Sequence, residues 1–311
     1  MTPAERRAGC ARLCGCAGVM SVSIVMVRAL VEAVERAGVR RDRLLAAAGL
    51  DAAQLDDSSI RLSLAEYDRV QLAALAVSGD QALGLRIGEH ASSAAFDVLG
   101  HLTEHAATLR QSVETIIRYS RILSVGPDAT LCEEGETASI RYAFAHGQSP
   151  TVRLVAELAT SGLLRLIRLF VGSDARPRGV FFEYEAPAYH AEYARAFDGV
   201  ERFGHAYTGI EFERAWLDRT QLHTNAELYT VLQDQAERAL SRVTRSADLA
   251  EIVRAHLASH DPAHMPTMDI VARRFNADVL NATTRALPLR NRLDMVTSLI
   301  VLHRNRHDAS A

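Results

Sequence analysis

The sequence predicts an α+β fold, a mixed helical domain with a small sheet followed by a partial all-α unit toward the C terminus. Three observations lead there. The first third reads as several short helices with tight connections; the hydrophobic period changes after Gly126-Pro127-Asp128; and strands and helices then mix without the strict alternation of a doubly wound sheet. With 311 residues, 48% of them hydrophobic, the chain is long enough for about two domains and a large core. The expected division is a tail over 1–21, a main domain over 22–240 and a helical unit over 241–311, whose pattern breaks after 276.

The elements follow in order. Apolar residues at helical spacing (Val27, Leu30, Val31, Val34) predict a helix from Val25 to Ala37, ended by Gly38. A short helix from Arg41 to Ala48 stops at Gly49. Ser63 with Glu66 three residues on is a capping-box signature for a helix to about Val77. Beyond the Ser78-Gly79-Asp80 turn come helical segments at Gln81–Glu89, Asp97–His105 and Leu109–Leu123. Ala129 to Cys132 and Ala138 to Phe144 read as a β-hairpin. Val152 to Val171 is a long apolar helix, expected at the centre of the core. Gly179 to Tyr184 is the clearest strand, since β-branched and aromatic residues suit a pleated surface. A short helix near Tyr189–Phe197, strand material near Gly209–Phe212 and a helix over Leu228–Leu240 complete the main domain.

Composition narrows the function classes. All 35 basic residues are arginine; the net charge of −3 gives no global pull toward nucleic acid, although arginine outnumbers acid after Leu240 and the reverse holds before it. Cys10, Cys14 and Cys16 crowd the first sixteen residues and Cys132 stands apart, which is no disulfide framework. Lacking a downstream His or Cys pair at zinc spacing, the three read as thiols on a tail, and no metal or cofactor is expected. Ser21 and Ser23 break the early apolar run, which argues against an export signal, and Met20 can serve as an alternative start. No run of about 18 apolar residues predicts a membrane span, so a cytoplasmic protein is expected.

Three stretches carry a family resemblance. They are Leu44-Leu-Ala-Ala-Ala-Gly-Leu-Asp51 with Ile60 to Tyr67; Gly79-Asp-Gln-Ala-Leu-Gly-Leu-Arg-Ile-Gly88 with Leu99-Gly100, Thr108-Leu109 and Tyr119; and Val180 to Pro187 with Tyr193, Phe203-Gly204 and Ile210-Glu-Phe212. In this order and spacing they resemble the N-terminal ligand-binding domain of AraC-type transcription regulators. One departure is Phe197-Asp198, where such proteins usually have Phe-Gly; it suggests an altered turn. The resemblance implies a sensor for a small-molecule effector, a homodimer, and a C-terminal unit of two helix-turn-helix motifs that engages promoter DNA. Leu249 to His260 would be that unit's first helix, and Thr267 to Asn276 resembles the positioning helix of its first motif, with Ala272 allowing close helix approach. By that alignment Arg273, Arg274 and Asn276 would touch DNA, the arginines through backbone phosphates. The resemblance then stops. In place of the family's recognition helix stands Ala277 to Pro288, which carries only Arg285 for phosphate or guanine contact, and 23 residues after Pro288 are too few for a second motif. The abruptness fits a frameshift or recombination.

Several constellations admit both a chemical and a structural reading. His101-Leu-Thr-Glu-His105 matches the pattern of inverted zinc peptidases, but nothing marks the required third ligand, and polar helix-face residues are the favoured reading. Phe182 and Tyr184, within an aromatic and acidic stretch that includes Tyr189, His190 and Tyr193, either line an effector pocket or form a core strand with its packing helix. Arg153, Arg165 and Arg168 lie on the long helix; Arg165 and Arg168 either receive an effector carboxylate or, the favoured reading, belong to a solvated helix edge or an internal salt bridge. Arg290, Arg292, Arg304 and Arg306 either contact phosphate nonspecifically or belong to a tail with no selected role. No phosphate loop, nucleophile elbow or catalytic set is present, so no enzyme is expected. The expectation is a regulator answering to a small effector, with an effector-binding and dimerising module lacking specific DNA binding as the alternative.

Overall fold

The computed structural model describes residues 21–124, 128–144, 149–221 and 224–258. The described residues start with a three-residue strand β1 (Ser21–Ser23), too short for any periodicity to reveal, leading directly into α1 (Ile24–Arg36). Ser23 caps α1, its hydroxyl accepting from the Val25 amide at 3.3 Å, and nine of the helix's residues are buried. A helix apolar on so much of its circumference belongs inside, not on a surface. α2 (Arg41–Ala48) ends at Gly49, whose φ of +69° is the left-handed conformation a glycine takes without steric cost.

β2 (Arg61–Ser63) pairs antiparallel with β1, Val22 opposite Leu62, forming a two-stranded sheet absent from the sequence expectation. Arg61 explains why so short a pairing holds. Its guanidinium donates to Ser21 Oγ (2.8 Å), to the Ser21 carbonyl (3.0 Å) and to the Ile122 carbonyl (2.6 Å), tying β1 to a turn nearly a hundred residues on. The predicted capping box forms at α3 (Leu64–Ser78): the Glu66 amide donates to Ser63 Oγ and the Ser63 amide to the Glu66 carboxylate. α4 (Leu83–His90), α5 (Asp97–Glu104) and α6 (Leu109–Tyr119) follow, near the expected bounds.

The hairpin is formed by β3 (Asp128–Glu134) and β4 (Thr137–Ala143), then comes α7 (Pro150–Val171), capped by Ser149 with proline at its first position. The strand expected over Gly179–Tyr184 is shorter: β5 is Gly179–Phe181, after which the Phe182 amide donates to the Arg202 carbonyl (2.9 Å) and the chain leaves the ladder. α8 (His190–Phe197), β6 (Glu201–Arg202) and β7 (Thr208–Glu213) follow. The five strands order as β3-β4-β7-β5-β6, antiparallel except for the β5–β6 pair. Ile140, Val180 and Ile210 lie in one cross-strand row, all buried, so the sheet packs one face inward.

α9 (Ala226–Ala258) is one continuous helix of 33 residues. The separate helices expected over 228–240 and from 249 are therefore one rod, running through position 240. Tyr229 and Ala236 are buried against α5 and α6, Tyr119 donates to Glu237 (2.6 Å), and the Thr115 and Tyr229 hydroxyls bond at 2.9 Å.

Two apolar clusters result. One gathers α1 to α3; the other lies between the sheet and α7. α4 and α7 contribute to both and cross at close range. A Cβ on Gly84 would stand 2.4 Å from the Leu154 carbonyl oxygen, and one on Gly88 2.5 Å from the Gly162 nitrogen. Only hydrogen fits at both positions, so these glycines set how near the two helices come.

Candidate functional site

α7 carries polar groups on an otherwise buried stripe, Glu157 and Ser161 between Leu154 and Leu164 at helical spacing. Around Glu157 a buried network assembles. Tyr193, on the first turn of α8, and Tyr189, just before it, are four apart and share a helix face. Both hydroxyls donate to Glu157 Oε1, at 2.5 and 2.7 Å, and Tyr184 bonds Tyr193 at 3.1 Å. The Arg153 guanidinium stands 5.6 Å from the Tyr184 ring centre. Glu157 is 1% exposed. Burial pushes its carboxyl up to about 7, against the opposing pull of Tyr193, Tyr189 and Arg153. Burial likewise raises Tyr189 to about 12 and shifts Tyr193 and Tyr184 upward, so all three phenols are neutral donors. The network can hold or release one proton near neutral pH.

The aromatic side of this network includes Phe182, fully buried, with Tyr193 edge-on at 5.1 Å and Phe203 stacked at 5.6 Å. Phe182 and Tyr184 are thus core residues packed beneath α8.

One turn further along α7 a cleft of about 240 Å³ opens between three helices. α4 supplies Glu89 and His90. α7 supplies Ser161, Leu164, Arg165 and Arg168, and α8 closes the third side with Arg195 and Ala196. Three guanidinium groups thus face one carboxylate. Arg195 is engaged by Glu89 (2.8 Å) and Glu192 (3.0 Å), and Arg168 by Asp198 (2.8 Å). Arg165 differs. Its nearest carboxylate, on Glu104, is 3.7 Å from Nη1, and its Nε is buried with no hydrogen-bond partner among the described residues.

Arg165 and Arg168 therefore share one cavity, while Phe182 and Tyr184 do not line it; the structure separates the four candidate effector residues into a cleft pair and a core pair. Arg168 makes an internal ion pair, whereas Arg165 stands 3.7 Å from Glu104 and has an Nε without a hydrogen-bond partner among the described residues. Asp198, standing where the resemblance places a glycine, adopts the left-handed φ of +56° itself, and its carboxylate holds Arg168. His101 is exposed on α5, His105 lies beyond its end, and Glu104 faces Arg165. Among the described residues no three His, Cys, Asp or Glu side chains gather as a metal site. No helix among them is long and apolar enough to cross a membrane. Arg273, Arg274, Asn276 and Arg285, with the basic tail and Cys10, Cys14 and Cys16, lie outside the described residues.

Sequence reasoning missed Glu157, Glu89, His90 and Arg195. Glu157 had a readable sign, a lone acid on the buried stripe of an apolar helix; the other three come together only through the crossing of α4, α7 and α8.

A family model described as the arabinose-binding domain of AraC transcription regulators, N-terminal, matches residues 38–221, more than half of the chain. The ornithine utilization regulator of Pseudomonas aeruginosa is 24% identical over 255 residues, 82% of this chain and 75% of that protein. The HTH-type transcriptional regulator VirS of Mycobacterium tuberculosis is 26% identical over 168 residues, 53% of this chain and 49% of that protein. The crystal structure of the transcriptional regulator CdpR from Pseudomonas aeruginosa aligns with a TM-score of 0.47 and 16% identity, covering 86% of this chain and 83% of that one.

Proposed function

The chain belongs to the family defined by the N-terminal arabinose-binding domain of AraC transcription regulators, and from that membership we propose that it is a cytoplasmic, homodimeric regulator of transcription answering to a small-molecule effector. The family match over residues 38–221 carries this reading. Relatives named as transcriptional regulators support it, and so does a cationic cleft of metabolite size within the matched region. Residues 22–240 form the effector-binding and dimerising part. On this reading the residues after 240 serve as a partial DNA-binding unit, with Arg273 and Arg274 neutralising backbone phosphates and Asn276 and Arg285 contacting the duplex beside them.

A mobility-shift assay with the purified chain and the DNA upstream of its own gene tests this reading. A retarded complex is expected that weakens steeply as salt rises, because phosphate contacts release counterions. No shift at low salt would sink the claim of DNA binding.

One observation favours a second reading, an effector-binding and dimerising module that does not bind a specific sequence. The stretch Ala277 to Pro288 lacks the basic recognition helix that the resemblance calls for. On this reading the chain acts by forming mixed dimers with intact regulators, and the same assay yields equal, salt-sensitive retardation on unrelated DNA, or none.

A further inference from the structure

Resting on the reading of residues 22–240 as the effector-binding part, we propose that the cleft between α4, α7 and α8 binds a small organic carboxylate, with Arg165 as its main contact. The charge balance favours an anion, since three arginines and one glutamate line the space. Two of those arginines are already neutralised, Arg168 by Asp198 and Arg195 by Glu89 and Glu192, which leaves Arg165 as the available cation. Its Glu104 contact at 3.7 Å is longer than a hydrogen bond, and its buried Nε has no acceptor. More than a third of the Arg165 side chain is exposed where it lines the cleft, and a carboxylate matches its planar guanidinium fork with two parallel bonds.

Glu89 is engaged by Arg195, so the cleft offers no free carboxylate of its own to an ammonium group. This ranks carboxylate recognition ahead of amine recognition. The size is also restrictive: about 240 Å³ is the liquid volume of roughly eight waters, which suits a molecule of roughly that many non-hydrogen atoms. Leu164 and Ala196 provide apolar surface for a short carbon chain.

Calorimetric titration of the full chain with succinate, L-glutamate and 2-oxoglutarate tests the assignment, with succinamide as the uncharged control. At least one acid is expected to bind and succinamide not to. Arg165→Gln should weaken that binding at least tenfold with the circular-dichroism melt retained. His90→Glu adds a negative charge at an exposed edge of the cleft and should weaken it several-fold without touching the core, so this variant decides the matter if Arg165→Gln does not fold. Binding by none of the three acids, equal binding of succinamide, or affinities indifferent to the folded variants overturns the proposal. The mobility-shift assay reports separately: carboxylate binding without a DNA shift removes only the DNA-binding claim, and a DNA shift without carboxylate binding removes only this ligand class.

Discussion

Replacing Glu157 by glutamine tests the physics of the buried tyrosine network. The amide keeps an oxygen that can accept from Tyr189 and Tyr193 but cannot ionise. In the wild-type protein burial raises the carboxyl from 4.5 to about 7. A carboxyl whose pKa is raised on folding binds its proton more tightly in the folded state. Its contribution is therefore fully present below pH 4.5 and is lost as pH rises through 7. A shift of about 2.5 units at about 1.4 kcal/mol each gives a loss of about 3 kcal/mol across that window. Set against a total stability of about 5–15 kcal/mol, the change is readily measured. Urea denaturation of both proteins at intervals from pH 4.5 to 8.5 provides the comparison. Glutamine should gain on wild type by about 3 kcal/mol between pH 4.5 and 7, then run parallel to it. A stability difference independent of pH would refute the reasoning, and so would a wild type that gains on the variant as pH rises.

Two further substitutions probe the backbone. Gly88→Ala puts a methyl group 2.5 Å from the Gly162 nitrogen and 2.6 Å from the Leu158 carbonyl oxygen; the forced separation of α4 and α7 should cost about 3 kcal/mol and lower Tm by roughly 6–12 °C in a thermal melt, and an unchanged Tm contradicts the close crossing. Asp198→Ala keeps the left-handed backbone without the Arg168 ion pair and should cost about 1–2 kcal/mol, whereas Asp198→Gly relieves the conformation and should fall within about 0.5 kcal/mol of wild type. Equal losses for the two in urea denaturation would show that the ion pair, not the turn, governs this position.

The parts legible in the sequence are those governed by local chemistry. The capping box at Ser63 and Glu66, the hairpin around Gly135, the long apolar helix over Pro150–Val171 and the glycine-ended α2 each depend on residues within a few positions of one another. The pairing of β1 with β2 was invisible because it joins three residues to three others forty positions away and is held by the side chain of Arg61. β5 is shorter than its composition suggests because Phe182 and Tyr184 are claimed by the aromatic cluster under α8 rather than by the ladder. The continuity of α9 escaped notice because the change in charge near Leu240 resembles a boundary although no helix breaker stands there. Arg165 and Arg168 could be named in advance as candidates; that only one of them retains an unused donor depends on Asp198, thirty residues from Arg168.

The close crossing of α4 and α7 also determines how the cleft can respond to an occupant. Gly88 directly precedes Glu89 and His90, and the atoms its hydrogen touches belong to the turn that carries Ser161 and Arg165. Neither helix can slide or roll past the other without backbone collision, so two walls of the cleft behave as one rigid body. The third wall, α8, is connected to them at its core by the buried Tyr193–Glu157 hydrogen bond and at its edge by the Arg195–Glu89 and Arg168–Asp198 ion pairs, which are partly exposed and exchange with solvent more readily than packed groups. Adjustment to different occupants thus falls to the ion-paired side chains at the exposed edge of α8. The backbone that presents Arg165 lies on the rigid side, where the entropy of ordering it was lost when the chain folded and need not be lost again on binding.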